Sequence, residues 1–502
     1  MLAATQGLRR SRPAEQRSAD CYNTPVRAFF VQNFGCRATQ ADGAAIERQL
    51  VARGFHRAET AEQADLLVLN TCTVTAAADQ DARAAIRKAQ RENPTAKVLV
   101  TGCYAQRAPQ EVAALPGVNW VVGNSHKHQV ADIVASDGTG REPGKSPFPS
   151  LPANPLPLYA DHASAGLSNL VPVERVVLSS PPFTAVGDIF AHTELMAAPV
   201  FTSDSVSTKT RPNLKVQDGC NNRCSFCIIP SVRGASRSLP LESVLRETQA
   251  LVAAGYREVV LSGINLGRWG RDFQPQLRLE QLLRSLLEHT DIEKIRISSV
   301  EPMDWSDELI GLAAGSPRIA KHAHIPLQSG SDHVLRLMRR KYRPWHYAEK
   351  LRKIHEAMPE AAIGADVMVG FPGETAELFE ENRSFIEKLP FTYLHVFTYS
   401  SRPGTPSAAM PDQIPVGEGR ARNRILRDLA AQKNLEFRQR FVGRELKVIT
   451  LQAAEERSTE ALTDNYLKVE VTGHHPVNTW MQVEVKAVGT ESLIASRVCS
   501  LS

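Results

Sequence analysis

The chain has 502 residues, a length that predicts two to four domains rather than one hydrophobic core. Apolar residues account for 42% and charged residues for 23%, which is ordinary for a globular protein, and the formal net charge is +5. No apolar run reaches the roughly 18 residues that a transmembrane helix needs, so the sequence predicts no membrane association. The slight basic excess permits a nucleic-acid partner without requiring one, and we expect a cytoplasmic protein.

Residues 1–26 are interpreted as a disordered leader. They contain four arginines but no apolar segment, so they do not match a secretory signal. Glu15 and Asp20 argue against a transit peptide, in which acidic residues are rare. Cys21 matches no motif, and we assign it no role.

The segment 27–135 alternates predicted strands and helices, an order that indicates a parallel sheet in an α/β domain. The predicted strands VRAFFVQNFG, ADLLVLNT and KVLVTG each end beside a cysteine, namely Cys36, Cys72 and Cys103. Because ligand sites of such sheets lie at the carboxyl ends of the strands, three cysteines there indicate a metal site. The alternative is three buried thiols that act as small apolar side chains.

The segment 136–210 is rich in Pro, Ser and Ala and lacks sustained periodicity, so we interpret it as an insertion or linker. Within it FTAVGDIFAHTELMAAPVF is a candidate for a short helix. We assign this segment no function.

The segment 211–437 again alternates strands and helices, over six units. The predicted strands are LKVQDG, REVVLSG, KIRISSV, HAHIPLQ, AIGADVMVG and TYLHVFTYS. This pattern indicates an incomplete (β/α) barrel with its site at the carboxyl ends of the strands. Small and polar residues recur there, as a polar ligand would require. Gly263, Ser299, Gln328 and Asp366 are the candidates for a cofactor pocket.

The segment 438–502 consists of short predicted strands with alternating polarity, which is typical of a small β-barrel that binds RNA. Tyr466 is suited to stack on a base and Lys468 to contact a phosphate. The alternative for Tyr466 is a place in the core. Cys499 matches no motif, and we assign it no role.

The most specific signal is QDGCNNRCSFCIIP, in which Cys220, Cys224 and Cys227 have the spacing CxxxCxxC. Three cysteines at this spacing hold a 4Fe-4S cluster through three of its irons, and the fourth iron stays open to bind a ligand. A zinc site that His322 or His324 completes is the alternative, because structural zinc takes four protein ligands.

With this loop at the end of the first barrel strand, the chain resembles the radical S-adenosylmethionine (SAM) methylthiotransferase family. Further motifs of that family are NTCTVT (70–75), TGCYAQR (101–107), IPLQSGS (325–331), VGFPGET (369–375) and YSSRPGTP (399–406). The resemblance covers nearly all of the chain outside the leader and the insertion. It implies an N-terminal parallel α/β (flavodoxin-like) domain, a central radical-SAM partial (β/α)6 barrel and a C-terminal small β-barrel (TRAM).

The resemblance also implies two 4Fe-4S clusters, both catalytic. One would be held by Cys220, Cys224 and Cys227 and would bind S-adenosyl-L-methionine, whose cleavage gives a 5′-deoxyadenosyl radical. The second, which carries the sulfur or methylthio group, would be held by Cys36, Cys72 and Cys103.

Phe226 lies between two of the barrel cysteines, and the resemblance puts it beside the adenine of S-adenosyl-L-methionine. Simple packing is the alternative. The implied partners are the anticodon stem-loop of tRNA, an electron-donor protein and a sulfur donor, the last two of unknown identity.

The motifs NTCTVT, GCYAQ, SSVEP and MRRKY favour the branch that modifies N6-threonylcarbamoyladenosine in tRNA. The alternatives are the branch that modifies isopentenyladenosine, the branch that modifies an aspartate of a ribosomal protein, and a non-catalytic iron-sulfur RNA-binding protein.

Two positions depart from the family pattern. Thr39 stands in a stretch where an Asn is usual, and Ser231 stands where an aromatic residue is common. Arg233 and Arg237 follow the cysteine loop, and we interpret them as contacts to RNA phosphate, to a cofactor carboxylate or to solvent.

Overall fold

The computed structural model describes residues 28–136, 182–191, 195, 210–455 and 458–498. The predicted leader, Cys21 and Cys499 lie outside the described residues, as does most of the predicted insertion. Among the described helices, we find none with the length and hydropathy that crossing a membrane requires.

A six-stranded parallel sheet forms the first domain, with the order β2-β1-β3-β4-β5-β6. Its strands are β1 (Ala28–Asn33), β2 (His56–Arg57), β3 (Leu66–Thr71), β4 (Lys97–Gly102), β5 (Val118–Gly123) and β6 (Phe183–Ala185). Its helices are α1 (Arg37–Ala52), α2 (Ala76–Glu92), α3 (Cys103–Arg107), α4 (Pro109–Ala113) and α5 (Val130–Ser136).

Strand β3 lies inside this sheet and is buried along its whole length. Leu67 and Leu69 pack with the buried residues of α2 on one face, and Leu66 and Val68 pack with those of α1 on the other. Since both faces are covered, the strand is a continuous apolar run rather than an alternating one.

Strand β6 corrects one expectation. Phe183–Ala185 was part of a candidate helix within the insertion, but it pairs in parallel with β5, with Trp120 opposite Phe183. The helix prediction is therefore wrong for these three residues. Residues 186–191 of the candidate form no helix either, and most of the later positions lie outside the described residues.

The central domain is an open barrel of six parallel strands and one short antiparallel edge strand. Its strands are β7 (Asn213–Asp218), β8 (Arg237–Ser238), β9 (Glu258–Gly263), β10 (Lys294–Ile297), β11 (His322–His324), β12 (Ala362–Val369) and β13 (Tyr393–Thr398). They form a sheet β10-β9-β7-β8 and a sheet β11-β12-β13, which are joined by the bridges Ile295–Ile319 and Ser299–His324. The predicted α/β fold with a partial barrel is thus confirmed.

Helices cover the outside of this barrel. They are α6 (Ile229–Arg233), α7 (Leu241–Ala253), α8 (Leu279–His289), α9 (Asp307–Gly315), α10 (Asp332–Leu337), α11 (Pro344–Ala357), α12 (Ala376–Lys388) and α13 (Val416–Gln439). Helix α8 shows why they pack there: Leu282, Leu283 and Leu286 are fully buried on one face. Each such leucine contributes roughly 1.5–3 kcal/mol by leaving water.

The C-terminal domain is a closed five-stranded barrel with the order β14-β15-β16-β18-β17. Its strands are β14 (Glu445–Glu455), β15 (Ser458–Thr463), β16 (Lys468–Thr472), β17 (Trp480–Val488) and β18 (Leu493–Arg497). The turn between β15 and β16 docks on the central barrel, where Arg296 donates to the carbonyl oxygens of Thr463 (3.3 Å) and Asp464 (3.0 Å).

Candidate functional site

Three cysteines meet at one edge of the first sheet. Cys36 lies between β1 and α1, Cys72 follows β3, and Cys103 begins α3 directly after β4. Because β1, β3 and β4 are neighbours and parallel, the three thiols are brought to the same rim. Burial raises the pKa of the Cys72 thiol to about 11, and the nearby Cys103 adds to this effect.

Gly35 allows the close approach of the loop after β1 to Cys72. Its φ of +98° is one that side-chain-bearing residues rarely adopt. A Cβ atom at this position would lie 2.5 Å from the Cys72 Cβ and 2.9 Å from its Sγ. A larger residue would therefore push the first two cysteines apart.

Polar side chains surround these first three thiols. Thr39 is fully buried, and its Oγ1 lies 3.5 Å from the Cys36 Sγ. The Asn124 Nδ2 donates to the Cys103 Sγ at 3.5 Å. The departure from the family pattern at position 39 thus still leaves a polar contact with Cys36.

The other three cysteines lie on the loop between β7 and α6. Gly219, with φ +70°, makes the turn into this loop, and a Cβ there would lie 1.9 Å from the Ala235 carbonyl oxygen. The Cys220 Sγ accepts from the backbone amide of Asn222 (3.4 Å) and from Asn265 Nδ2 (3.7 Å). Burial raises the pKa of the Cys227 thiol to about 12.

Arg340 provides a cation beside this loop that the sequence analysis did not single out. Its Nη1 donates to the Cys224 Sγ at 3.2 Å, its Nε donates to Tyr342 at 3.2 Å, and it also pairs with Glu301. The side chain is only 5% exposed. Position 340 lies in the motif MRRKY, but nothing in the residue pattern links it to a cysteine 116 positions away.

The sulfur spacing does not suit a single metal ion. Three thiolates on one zinc ion lie about 3.8 Å apart, because Zn–S bonds are about 2.3 Å long. Among the described residues, neither cysteine trio has all three sulfurs within 4.8 Å of one another, and no histidine joins either trio at that distance. The described cysteines are therefore not arranged with His322 or His324 as a zinc site.

A cavity of about 610 Å³ lies where the three domains meet, and we call it the central cavity. Its wall contains cysteines of both trios, namely Cys36, Cys220, Cys224 and Cys227, whereas Cys72 and Cys103 are buried and are not part of the lining. Six residues selected from the sequence also line it: Phe226, Gly263, Ser299, Gln328, Asp366 and Tyr466. A larger cleft of about 720 Å³ on the first domain contains no cysteine.

Asp366 lies between two histidines in the central cavity. Its Oδ1 is 3.3 Å from His324 Nε2 and 3.2 Å from His395 Nδ1. Burial opposes ionisation of this carboxyl group, but the two histidines outweigh it and lower its pKa below the usual range. Asp366 is therefore an anion that can accept hydrogen bonds from a ligand.

The sequence analysis considered His322 and His324 only as zinc ligands and did not single out Tyr393 or His395. All four side chains line the central cavity. The signal was present in the strands HAH and YLHVF, since alternate residues of a strand point to the same face.

Arg233 lies in a buried ion-pair network between the first domain and the barrel. Its guanidinium pairs with Asp218 (3.0 Å) and Asp42 (3.0 Å), and Asp42 also pairs with Lys127 (2.9 Å) and Lys215. Since Arg233 is 2% exposed, its assignments to RNA phosphate and to solvent are wrong.

Arg237 is the second arginine that the sequence analysis interpreted as a contact to RNA phosphate, a cofactor carboxylate or solvent. Its side chain is 11% exposed and lies 3.8 Å from Asp218. Ser231 is exposed on α6.

The two residues expected to bind RNA lie in different environments. Tyr466 lines the central cavity, whereas Lys468 is exposed and lies 4.0 Å from Glu491.

Two family models match the chain. The radical SAM superfamily matches residues 214–386, and the uncharacterized protein family UPF0004 matches residues 28–123. The threonylcarbamoyladenosine tRNA methylthiotransferase MtaB of Bacillus subtilis is 37% identical over 88% of this chain and 89% of its own length. The chain belongs to the tRNA methylthiotransferase family.

Both tRNA branches of this family are similar to the chain. MtaB of Aquifex aeolicus is 35% identical over 90% of this chain and 98% of its own length. The tRNA-2-methylthio-N(6)-dimethylallyladenosine synthase of Thermobifida fusca is 33% identical over 84% of this chain and 78% of its own length. The names of these relatives imply a tRNA substrate.

Among solved structures, the radical S-adenosylmethionine methyltransferase TsrM from Kitasatospora setae is similar in fold. The TM-score is 0.51, with 15% identity over 77% of each chain. At this identity the likeness concerns the fold alone, and it agrees with the partial barrel.

As a radical SAM methylthiotransferase, the chain uses S-adenosyl-L-methionine and 4Fe-4S clusters, and the described residues fit both. A cluster held by either cysteine trio would keep one iron without a protein ligand, and polar groups contact the sulfurs, as is common around iron-sulfur clusters. Ser262 Oγ and Asn265 Oδ1 line the central cavity, are buried, and have no hydrogen-bond partner among the described residues. Buried polar atoms of this kind indicate a polar ligand.

Proposed function

We propose that this chain converts N6-threonylcarbamoyladenosine, next to the anticodon on its 3′ side, into the 2-methylthio derivative. The observation that carries the proposal is that the loop trio (Cys220, Cys224 and Cys227) and Cys36 of the first trio line one cavity of about 610 Å³. This volume is in the range that small-molecule and cofactor sites occupy. The similarity to MtaB proteins over nearly the whole chain supports this choice of nucleoside.

In this proposal, Cys220, Cys224 and Cys227 hold the cluster that binds S-adenosyl-L-methionine, and Cys36, Cys72 and Cys103 hold the second cluster. When bound, these groups would supply a 5′-deoxyadenosyl radical that takes hydrogen from the target carbon, and a sulfur atom that would replace this hydrogen together with a methyl group from a second S-adenosyl-L-methionine. The protein's part is to hold the nucleobase between the two trios and to exclude water.

The residues that line the central cavity have separate parts. Phe226 contacts Phe371 edge-on, with 6.3 Å between ring centroids, so it offers a fixed apolar surface to an adenine. Asp366 offers an anionic acceptor to the cofactor, and Gly263, Ser299 and Gln328 complete the pocket. Gln328 has φ +65° and its backbone pairs with β12, which holds it at the cavity wall.

Segments 27–135, 211–437 and 438–502 are proposed as the methylthiotransferase, radical SAM and TRAM domains, and the last as an RNA-binding module in which Lys468 contacts phosphate. An electron-donor protein, a separate sulfur donor and a cytoplasmic location remain predictions.

Mass spectrometry of tRNA nucleosides from a deletion strain tests the proposed function. We expect 2-methylthio-N6-threonylcarbamoyladenosine to disappear, its unmethylthiolated precursor to accumulate, and the wild-type gene to restore the product. A gene that encodes Cys224→Ala is the matched control and should not restore it. Loss of the methylthio form of isopentenyladenosine instead would assign the chain to the other tRNA branch. An unchanged nucleoside profile would favour a non-catalytic RNA-binding protein.

A further inference from the structure

One wall of the central cavity is built from all three domains and includes the first residues of β11 and β13. We call Arg37, His322, Tyr393 and Tyr466 the amino-end wall. His322 begins β11 and Tyr393 begins β13, whereas the barrel cysteines follow the carboxyl end of β7. Because this wall and the cysteines line one cavity, a nucleobase held near the cysteines can extend a long substituent toward the wall.

The rings of the amino-end wall are in contact. The centroid of His322 is 4.7 Å from that of Tyr466 and 5.9 Å from that of Tyr393, and His322 Nε2 lies 2.7 Å from the Tyr393 hydroxyl. Gly364 makes room for this arrangement, since a Cβ there would lie 1.9 Å from the Tyr393 ring. The wall is consequently rigid and presents hydroxyl and imidazole groups at fixed positions.

Contacts with Arg296 and with the backbone of its own turn hold Tyr466 in position. It has φ +67°, which is unusual for a residue with a side chain, and the Arg296 guanidinium lies 5.4 Å from its ring centroid. Arg296 also binds the backbone of the same turn, and Asn465 Nδ2 donates to the Glu360 carbonyl oxygen at 2.8 Å. Several contacts thus fix one tyrosine of the C-terminal barrel in the wall of the central cavity.

The amino-end wall carries an excess of positive charge. Arg37 Nη2 lies 3.4 Å from the Tyr466 hydroxyl, and Arg37 makes no ion pair with a carboxylate among the described residues. Of the carboxylates nearby, Glu258 pairs with Arg296 (2.7 Å) and lies 3.9 Å from Arg211, and Asp366 pairs with His324 (3.3 Å) and His395 (3.2 Å). Burial, Arg296 and Arg37 hold the pKa of His322 well below its ordinary value, so His322 is neutral.

We propose that the amino-end wall recognises the threonylcarbamoyl group of the substrate, with the Arg37 guanidinium and the Tyr466 hydroxyl binding its carboxylate. This inference rests on the proposed function and extends it to residues that determine specificity. A guanidinium can bind a carboxylate through two parallel N–H donors. The Arg37 guanidinium is not paired with a carboxylate of any described residue, so these donors are available to a ligand. Tyr393 and His322 lie close enough to contact the urea and hydroxyl groups of the same substituent.

The same wall rejects an isopentenyl group. That substituent is apolar and offers no acceptor to the Arg37 guanidinium, which pairs with no carboxylate among the described residues. Sites built for a polar substituent discriminate strongly against analogues that lack it, because their own polar groups are then left unpaired. Arg37 is also adjacent to Cys36, so recognition of the substituent positions the base beside the first trio.

The test uses the anaerobically reconstituted full chain and three anticodon stem-loop RNAs. One carries N6-threonylcarbamoyladenosine, one the carboxamide in place of its carboxylate, and one isopentenyladenosine. We expect Arg37→Gln to lower kcat/KM for the first RNA roughly 10- to 100-fold, mainly through KM, and to change the carboxamide RNA little. Tyr466→Phe should have a smaller effect of the same kind. Arg284→Gln, at an exposed ion pair with Glu308, is the matched control and should behave as wild type.

Iron content and 5′-deoxyadenosine formation are measured on every variant, because Arg37 is next to a cysteine. If Arg37→Gln loses iron, Tyr466→Phe and Arg37→Lys decide the question, since Arg37→Lys keeps the charge but not the fork and should give an intermediate KM. The inference is overturned if variants with full iron keep the wild-type KM and the wild-type preference for carboxylate over carboxamide. Failure of the proposed function would appear differently, as a wild-type enzyme that modifies only the isopentenyladenosine RNA.

Discussion

The two cysteine trios are built in opposite ways. Cys220, Cys224 and Cys227 lie within eight residues on one loop, which turns at Gly219 and is contacted by Arg340. The first trio comes instead from three strand ends that are 36 and 31 residues apart in sequence (36 to 72, 72 to 103). Its geometry requires that β1, β3 and β4 pair in the correct register.

This difference separates local from global determinants of a site. The loop trio has its three cysteines on one short segment, whereas the strand-end trio depends on the packing of the whole first domain. Damage to the first domain should therefore remove one cluster and spare the other. Three sets of substitutions test this expectation.

The largest effect is expected for the cysteines themselves. Cys224→Ala should abolish 5′-deoxyadenosine formation and lower the iron content from about eight to about four per chain, because one cluster is lost. Cys72→Ala should lose the same amount of iron but still cleave S-adenosyl-L-methionine. Both variants should form no methylthio product. Iron and sulfide analysis, and mass spectrometry of 5′-deoxyadenosine and of the modified nucleoside, provide the measurements.

Cys499→Ala is the control for this experiment, since the sequence assigns Cys499 no role. It should keep the full iron content. A Cys72→Ala protein that retains all of its iron, or that also loses S-adenosyl-L-methionine cleavage, would show that the two trios are not independent.

The sequence predicted the loop trio more securely than its surroundings. CxxxCxxC is a contiguous pattern, and the alternation of strands and helices located it at a strand end. The strand-end trio was also predictable, because each cysteine directly follows an apolar run. In both cases the information is local in the chain, and the parallel topology supplies the rest.

The groups that complete the site were not predictable in this way. Arg340 contacts Cys224 across 116 residues, and Tyr466 reaches the central cavity from another domain at a distance of 429 residues from Arg37. Arginine is usually a surface residue, but Arg233 lies in a buried ion-pair network. Strand β6 was missed because only three residues form it, within a segment without periodicity.

The buried ion network gives the second test, because it joins the first domain to the barrel through Asp42. Asp42→Asn should leave Lys127, Lys215 and Arg233 without one of their anions and lower the free energy of unfolding by about 3–5 kcal/mol. Both clusters should still assemble. The yield of methylthio product per S-adenosyl-L-methionine cleaved should fall, because the first domain, which carries the first trio, is then held less tightly against the barrel.

The pH dependence of this loss follows from the same network. Burial alone would raise the pKa of Asp42, but Lys127, Lys215 and Arg233 hold it well below its usual value near 3.8. A carboxyl group with a lowered pKa contributes stability that is fully present above the unfolded pKa and is lost only at lower pH. Urea unfolding should therefore give the same difference between Asp42→Asn and wild type at pH 6 and pH 8.

Glu308→Gln is the matched control for Asp42→Asn. It breaks the ion pair with Arg284, whose partners are each about half exposed, and should cost no more than about 1 kcal/mol. An Asp42→Asn protein as stable as this control would mean that the interface between the first domain and the barrel does not depend on the network.

The smallest effect is expected at the glycines that precede each trio, and it distinguishes the trios most finely. Gly35→Ala forces a Cβ to within 2.5 Å of the Cys72 Cβ at a positive φ, and Gly219→Ala forces one to within 1.9 Å of the Ala235 carbonyl oxygen. We expect each to destabilise its own domain by about 1–3 kcal/mol beyond the strain of the positive φ itself. Gly35→Ala should lower occupancy of the first cluster only, and Gly219→Ala that of the barrel cluster only.

Gly54→Ala measures the cost of the positive φ alone, without a steric clash. It has φ +84° with no atom within 4 Å of the added Cβ, so it should cost about 1–2 kcal/mol and leave both clusters full. Iron content together with 5′-deoxyadenosine formation reports the two clusters separately in all three variants. If Gly35→Ala behaves as Gly54→Ala, the close approach of the β1 loop to Cys72 does not limit the first trio. The strand-end trio would then tolerate local displacement, and pairing of the strands alone would be sufficient to position it.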